Sequence, residues 1–230
     1  MTIVVLQHVA VEGPGKIGAA LDRAGHAWRT VPLFDEAPVP VGPSGIDGLV
    51  VMGGPMSVTD TDEYPHLSAE QNLIADCLDA RVPVLGVCLG SQLLASTLGA
   101  EVRPGPRIEL GWHEVSLTES GLTDPVLGRL PSPFAPLHWH GDAYDLPPGA
   151  EHLASSGQTP VQAFRYEHSA YGLLFHLEAA HEQVAAMAAH FPDDVVAAGS
   201  AAADLLDPSH TARLAHDADR ALDAWVALLS

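Results

Sequence analysis

A chain of 230 residues, 47% of them hydrophobic and 17% charged, has the composition of an ordinary globular protein and the length to bury a sizeable core. The charge balance is less ordinary: 10 Lys+Arg face 29 Asp+Glu, a formal net charge of -19. That surplus repels phosphate backbones and anionic lipid surfaces, so neither nucleic acid nor membrane is expected as a partner. It reads first as solubility, with a cationic partner or substrate as the minor alternative.

The opening MTIVVLQ carries no basic region and no small-residue cleavage site, and reads as a first strand rather than a signal peptide. The two cysteines, Cys77 and Cys88, do not make a disulfide framework, and the cytoplasm is the expected compartment. From there strands and helices alternate. TIVVL (2–6) is an apolar, β-branched run. GKIGAALDRAG (15–25) has helical spacing and a glycine stop. AWRTVPL (27–33) and DGLVVMGG (47–54) are strands, the latter ending in paired glycines. LSAEQNLIADCLDA (67–80) is a helix that keeps Cys77 on its apolar face, where it is expected to be a plain core residue. VPVLGV (82–87) is a strand and LGSQLLASTLG (89–99) a helix. The uncharged stretch 82–100 holds too many Gly, Ser, Thr and Gln residues to be a membrane span. This rhythm predicts an α/β fold with a mostly parallel central sheet and helices on both faces.

The middle of the chain changes character. Residues 110–118, 134–140, 151–156, 161–166 and 170–178 read as short strands separated by turn-rich pieces, which predicts a smaller antiparallel element beside the main sheet. After Glu178 the chain reads as a helical C-terminal extension, about 179–230, with starts at Pro192 and at Pro208. In the last helix Leu214, Ala218, Leu222, Trp225 and Leu229 form one apolar face, fit to dock on the chain's own core or on a second subunit as a homodimer. Without repeats or low-complexity linkers, 1–230 is expected to be one domain.

The chemistry concentrates at LGVCLGSQ. A buried strand ends at Val87, a helix begins near Leu89, and Cys88 stands between Gly86 and Gly90. This G-x-nucleophile-x-G pattern is a nucleophile elbow: the turn leaves no room for side chains at the flanking positions, and the helix N-terminus favours thiolate over thiol. The Leu89 N–H is free to meet an oxyanion. In LLFHLE, His176 and Glu178 fall two residues apart and so on one face of a strand, where the carboxylate would fix the histidine tautomer. In VVMGGPMSV, Gly53 and Gly54 follow a buried strand and could supply a second oxyanion donor. In HWHGDAYDLP, His138 and His140 share a face, but two histidines without a clear third ligand make a weak metal site, and none is expected.

Together, GGPMSV, PVLGVCLGSQLLASTLGAEV, HWHGDAYDLP and YGLLFHLE, in that order, resemble class I (triad-type) glutamine amidotransferases, and among them the stand-alone, GMP-synthase-like branch. The resemblance implies a three-layer, flavodoxin-like fold and a cysteine-dependent glutamine amidotransferase needing no metal or organic cofactor. Cys88 would attack the side-chain amide of glutamine or another γ-glutamyl compound and form a thioester. His176 would protonate the leaving ammonia, Glu178 would orient His176, and the N–H groups of Gly54 and Leu89 would form the oxyanion hole. Gly53, Gln92 and the segment Trp139, His140, Gly141 and Asp142 would hold the substrate. Leu177, Leu174 and Ser91 depart from residues common in the family at those positions, which are proline, glutamine and histidine. No phosphate-binding loop of the form G-x-x-x-x-G-K-[ST] is present, so ammonia would pass to a separate synthase subunit, or the protein would act alone on a γ-glutamyl amide or peptide; the alternative is a non-catalytic relative, a retired site that binds a small molecule in the same cleft.

Overall fold

The computed structural model describes residues 2–199 and 201–229. Its first half winds as the alternation predicts. Strand β1 (Thr2–Gln7) leads through helix α1 (Gly15–Arg23) to β2 (Ala27–Pro32). Strand β3 (Gly48–Val51) follows, then α2 (His66–Asp79), β4 (Val84–Val87) and α3 (Leu89–Thr97). Strands β3 and β4 are buried at every position, and so is β1 after its first residue; these runs have no polar alternation because helices cover both faces of the sheet.

Next come β5 (Val102–Trp112), β6 (Val115–Leu117), the short helix α4 (Glu119–Thr123), β7 (Leu137–Tyr144), β8 (Ala150–Ser156), β9 (Ala163–Tyr166) and β10 (Ala170–Leu173). Among the described residues eight strands form one sheet in the order β2-β1-β3-β4-β10-β9-β8-β6. It is parallel from β2 to β10 and antiparallel from β10 to β6. Strands β5 and β7 make a separate antiparallel pair.

Three expectations need correction. The run 110–118 is not one strand: the chain breaks between Trp112 and Val115, after Gly111 at φ 119°, and its halves join different sheets. Strand β5 instead starts at Val102 and runs through Pro104 and Pro106. Proline is tolerated because the ladder with β7 is interrupted between Pro104 and Glu109. The strand read as 134–140 extends to Tyr144, so the segment Trp139–Asp142 lies within β7. The strand read as 170–178 ends at Leu173. Beyond it the Leu174 N–H turns to the Gln162 carbonyl (2.9 Å) and the His176 N–H to the Leu137 carbonyl (2.8 Å), carrying the chain from the main sheet onto the β5–β7 pair.

The C-terminal part is helical: α5 (His181–His190), α6 (Pro192–Ala197), α7 (Ala202–Leu205) and α8 (Pro208–Val226). Helix α8 docks on its own chain. Leu214, Ala218, Leu222, Trp225 and Leu229 join the core formed by β1, β3 and α1. Lys16 reaches Asp219 at 3.0 Å and Arg23 reaches Asp223 at 2.7 Å along the rim. Val184, Val195 and Leu205 of α5, α6 and α7 cover Leu110 and Leu137, which brings this helical cluster against the β5–β7 pair. Among the described residues no helix is long and apolar enough to cross a membrane.

Candidate active site

Cys88 stands at the carboxyl end of β4, in the middle of the sheet, with φ 50° and ψ -112°. For a residue with a side chain this backbone is strained, of order 1–3 kcal/mol. Its surroundings enforce it. A Cβ on Gly86 would run into the Gly90 carbonyl, and a Cβ on Gly90 would run into the Val51 carbonyl of the next strand. Helix α3 therefore starts hard against β3 and β4, and the thiol is pushed out above the sheet edge. Leu89 opens α3, so its N–H has no acceptor within the helix. The Gly54 N–H meets no hydrogen-bond acceptor among the described residues.

His176 and Glu178 reach this point from beyond β10. His176 Nδ1–H donates to Glu178 Oε1 at 2.7 Å, with both residues buried. Burial opposes an imidazolium here, yet Glu178 and then Cys88 outweigh it and hold the His176 pKa well above its ordinary value. The other nitrogen, Nε2, is buried without a partner, while the thiol points to the Trp139 carbonyl at 3.4 Å. Unliganded sites commonly hold such nucleophile–base pairs open. Main-chain bonds fix the pair: the Lys16 N–H at the start of α1 donates to the Glu178 carbonyl at 2.9 Å.

A cavity of about 390 Å³ opens over Cys88. Gly54, Gln92, Trp139, His140, Gly141 and Asp142 line it, so these sequence-predicted residues converge. Gln92 Nε2 donates to the Asp142 carbonyl at 3.4 Å, and Ser57 Oγ–H donates to Asp142 Oδ2 at 3.0 Å. Trp139 Nε1–H donates to Asp194 Oδ2 at 3.0 Å, so α6 closes one wall. Gly53, His176 and Glu178 are not among the residues lining the cavity over Cys88; a larger groove of about 1100 Å³ beside β5 and α7 does not reach Cys88.

Sequence reasoning missed a layer beneath the site. Gly53 and Gly54 share one peptide unit, and His8 Nδ1 bonds the Gly53 carbonyl at 3.0 Å. In a trans peptide the N–H points opposite to the C=O, so this bond aims the Gly54 N–H away from His8. His8 Nε2 is held by Glu70 at 3.0 Å, and Glu70 also takes His66 Nδ1 at 2.9 Å. Burial raises the Glu70 pKa, but the bonds from His66 and His8 outweigh it and leave it below the ordinary value. A second network lies under His140. Glu109 meets His140 at 3.2 Å, Thr159 at 2.6 Å, Ser156 at 2.8 Å and Gln162 at 2.9 Å. It thus stands beside His138 and His140 as the third donor that the sequence did not reveal. Both clusters bring three donor atoms within 4.8 Å, but their carboxylates are already engaged by protein donors. Burial, then the neighbouring His140, pushes the His138 pKa down. Glu12, in the loop after β1, also lines the cavity.

A thiol on a strand-to-helix elbow, a histidine–carboxylate pair and a glycine pair gather at the carboxyl end of a parallel sheet as a candidate cysteine–histidine–carboxylate site on an α/β fold. The chain belongs to the class-I glutamine amidotransferase family, whose model matches residues 17–191. It is 34% identical over 193 residues to the glutamine amidotransferase-like protein YfeJ of Salmonella typhimurium, covering 83% of this chain and 81% of that one. It is 41% identical over 135 residues to the glutamine-hydrolysing GMP synthase of Thermomicrobium roseum, covering 58% of this chain but only 24% of that protein. The crystal structure of a glutamine amidotransferase from Methylobacillus flagellatus superposes with a TM-score of 0.90 at 28% identity, over 98% of this chain and 94% of the other.

Proposed function

We propose that the protein hydrolyses the side-chain amide of glutamine or a related γ-glutamyl amide through a thioester on Cys88. The observation that carries this reading is that Cys88 and Gly54 line one cavity while the His176–Glu178 pair stands directly behind them: a Cβ on Gly53 would lie 3.3 Å from His176 Cε1 and 3.4 Å from Cys88 Cβ. Sγ attacks the γ-carbon while the Gly54 and Leu89 N–H groups receive the oxyanion. The raised pKa of His176 supplies the proton for the leaving nitrogen. His176 then takes a proton from water, which releases glutamate and restores the thiol. Glu178 keeps the ring oriented. Gln92, Gly53 and the Trp139–Asp142 segment hold the glutamyl group.

The GMP synthases among the relatives are named as glutamine-hydrolysing, which supports glutamine as substrate. Released ammonia would pass to an acceptor on a separate synthase subunit. A stand-alone γ-glutamyl amide hydrolase is the second reading, favoured by the unpartnered Glu12 in the cavity. Purified protein should release ammonia and glutamate from glutamine, and Cys88→Ser should abolish it; turnover that survives the substitution removes the mechanism. An electrophilic glutamine analogue should label Cys88 and spare Cys77. Burial, with Asp76 adding, pushes the Cys77 thiol up to about 12, so a retired site labelling both alike would count against any catalysis.

A further inference from the structure

Glu12 takes no part in the hydrolytic scheme, yet it is placed at its centre. The residue is 5% exposed and lines the cavity above Cys88. Its Oε2 occupies the space that a Cβ on Gly53 would fill, a point only 3.3 Å from His176 Cε1 and 3.4 Å from Cys88 Cβ. Among the described residues its carboxyl meets no hydrogen-bond donor. Burial raises its pKa; His176 and His8 oppose this, and Glu178 and Asp194 add to it. A carboxyl held this deep in a cavity, open to it and without a protein donor, is placed to take a donor from a ligand.

The other acids of the cavity are already engaged. Asp60 accepts the Ser57 N–H at 2.7 Å, Asp142 accepts Ser57 Oγ–H at 3.0 Å, and Asp194 accepts the Trp139 indole N–H at 3.0 Å. Among the described residues no lysine or arginine lines the cavity. Ser57 and Gln92 both donate to Asp142. Glu12 and His176, the group placed to protonate the departing nitrogen, crowd the same point behind Gly53, and Asp194 lines the same cavity.

We propose that Glu12, with Asp194 beside it, binds a cationic group on the nitrogen side of the scissile amide, so that the substrate class is a γ-glutamyl amide of a short diamine. This rests on the hydrolytic reading above and narrows it. Cys88 Sγ bonds the γ-carbon, the C–N bond breaks, and the His176 proton goes to the nitrogen, which leaves as a free diamine. Water then adds to the thioester carbon, its proton returns to His176, and the C–S bond breaks to give glutamate. The second ammonium of the diamine is the donor that Glu12 otherwise lacks, and the -19 charge of the chain favours its approach.

The experiment compares kcat/KM for glutamine, for a γ-glutamyl diamine monoamide and for the neutral γ-glutamyl alkylamide of equal length. The cationic amide should exceed the neutral one by at least about ten-fold, the weak end of what a charge-assisted hydrogen bond contributes. Glu12→Gln should shrink that ratio to about three-fold or less, and Glu12→Asp should retain part of it. In the unmodified protein, free diamine should inhibit more strongly than the monoamine of the same length, which tests the site even if the variants do not fold. Equal cleavage of the two amides, equal inhibition by the two amines, or a ratio unchanged in Glu12→Gln would overturn the proposal. Failure to cleave any of the three substrates, or cleavage that persists in Cys88→Ser, would instead defeat the hydrolytic reading itself.

Discussion

Glu178→Gln keeps the shape of the side chain and removes only its charge, which makes it the sharpest test of the His176–Glu178 pair. The backbone on both sides is held independently, His176 by the Leu137 carbonyl and Glu178 by the Lys16 N–H, so the fold has no reason to move. What changes is a 2.7 Å bond between residues that are 2% and 1% exposed. Losing a hydrogen bond to a charged group costs about 1.5–3 kcal/mol, a factor of about 10 to 150. The amide adds a second fault. If its NH2 faces Nδ1, the ring proton is driven to Nε2, where it blocks acceptance of a proton from the thiol. A wrong tautomer of this kind costs about 10⁴ in a serine protease, so the expected loss in kcat/KM lies between about 10² and 10⁴.

The pH profile separates this from a general loss of structure. The pKa of His176 is raised in the folded protein above its unfolded value, so its contribution to stability is complete below about 6.5 and lost as pH rises through the raised value. Burial alone would lower that pKa, and Glu178 is the largest influence raising it. Glu178→Gln should therefore move the alkaline limb of kcat/KM to lower pH, measured as ammonia release from glutamine, with an unchanged circular dichroism spectrum. A loss below ten-fold with an unmoved alkaline limb would refute the role given to Glu178.

Other substitutions probe the supporting layers. His8→Leu leaves Glu70 with only His66 and frees the Gly53 carbonyl; removing one partner of a buried pair costs about 3–5 kcal/mol. At roughly 2–4 °C per kcal/mol for a chain of this size, Tm should fall by roughly 6–20 °C. At temperatures where the variant stays folded, kcat should fall more than KM rises, and an unchanged kcat would remove the link from His8 to the Gly54 N–H. Gly90→Ala drives a methyl into the Val51 carbonyl, so soluble yield and Tm should drop sharply; a well-folded, active variant would show that the elbow tolerates a side chain. Trp225→Ala opens a cavity in the core under α8 and should cost about 3–5 kcal/mol by urea unfolding. Trp225→Phe should cost much less, because the indole N–H is buried without a partner and leaves with the substitution.

How much of this was legible in the sequence depends on whether a residue draws its meaning from its neighbours along the chain or from those across the fold. The elbow is local: Gly86, Cys88 and Gly90 fall within five residues, and the clashes that require glycine lie between adjacent elements. The His176–Glu178 pair was legible for a partly wrong reason. The two residues lie past the end of β10, but the chain stays extended enough, bridged to Leu137, for i and i+2 to meet. Strand β5 was half missed because Pro104, Gly105 and Pro106 count against a strand everywhere except where the ladder is interrupted. Glu12, His8, Glu70 and Glu109 gave no usable signal. Glu12 crowds Gly53 from 41 residues away, His8 meets Gly53 from 45, and Glu109 meets Gln162 from 53.

These residues follow a rule of the architecture that sequence periodicity does not encode. In a parallel sheet the loops after successive strands gather at one end. His8 and Glu12 follow β1, Gly53 and Gly54 follow β3, and Cys88 follows β4, so three loops distant in sequence become adjacent in space. The buried polar groups sort by whether they are satisfied. Glu70, Glu109 and Glu178 each hold a histidine, and their bonds freeze the peptide, the strand or the ring that they support. Glu12 holds nothing and faces the same cavity. Asp124, the remaining buried carboxylate, is held by Arg165, by Tyr171 and by the Val126 and Leu127 N–H groups, so among the buried carboxylates of the described residues Glu12 is the one with no protein donor, and it is the one the proposed substrate fills.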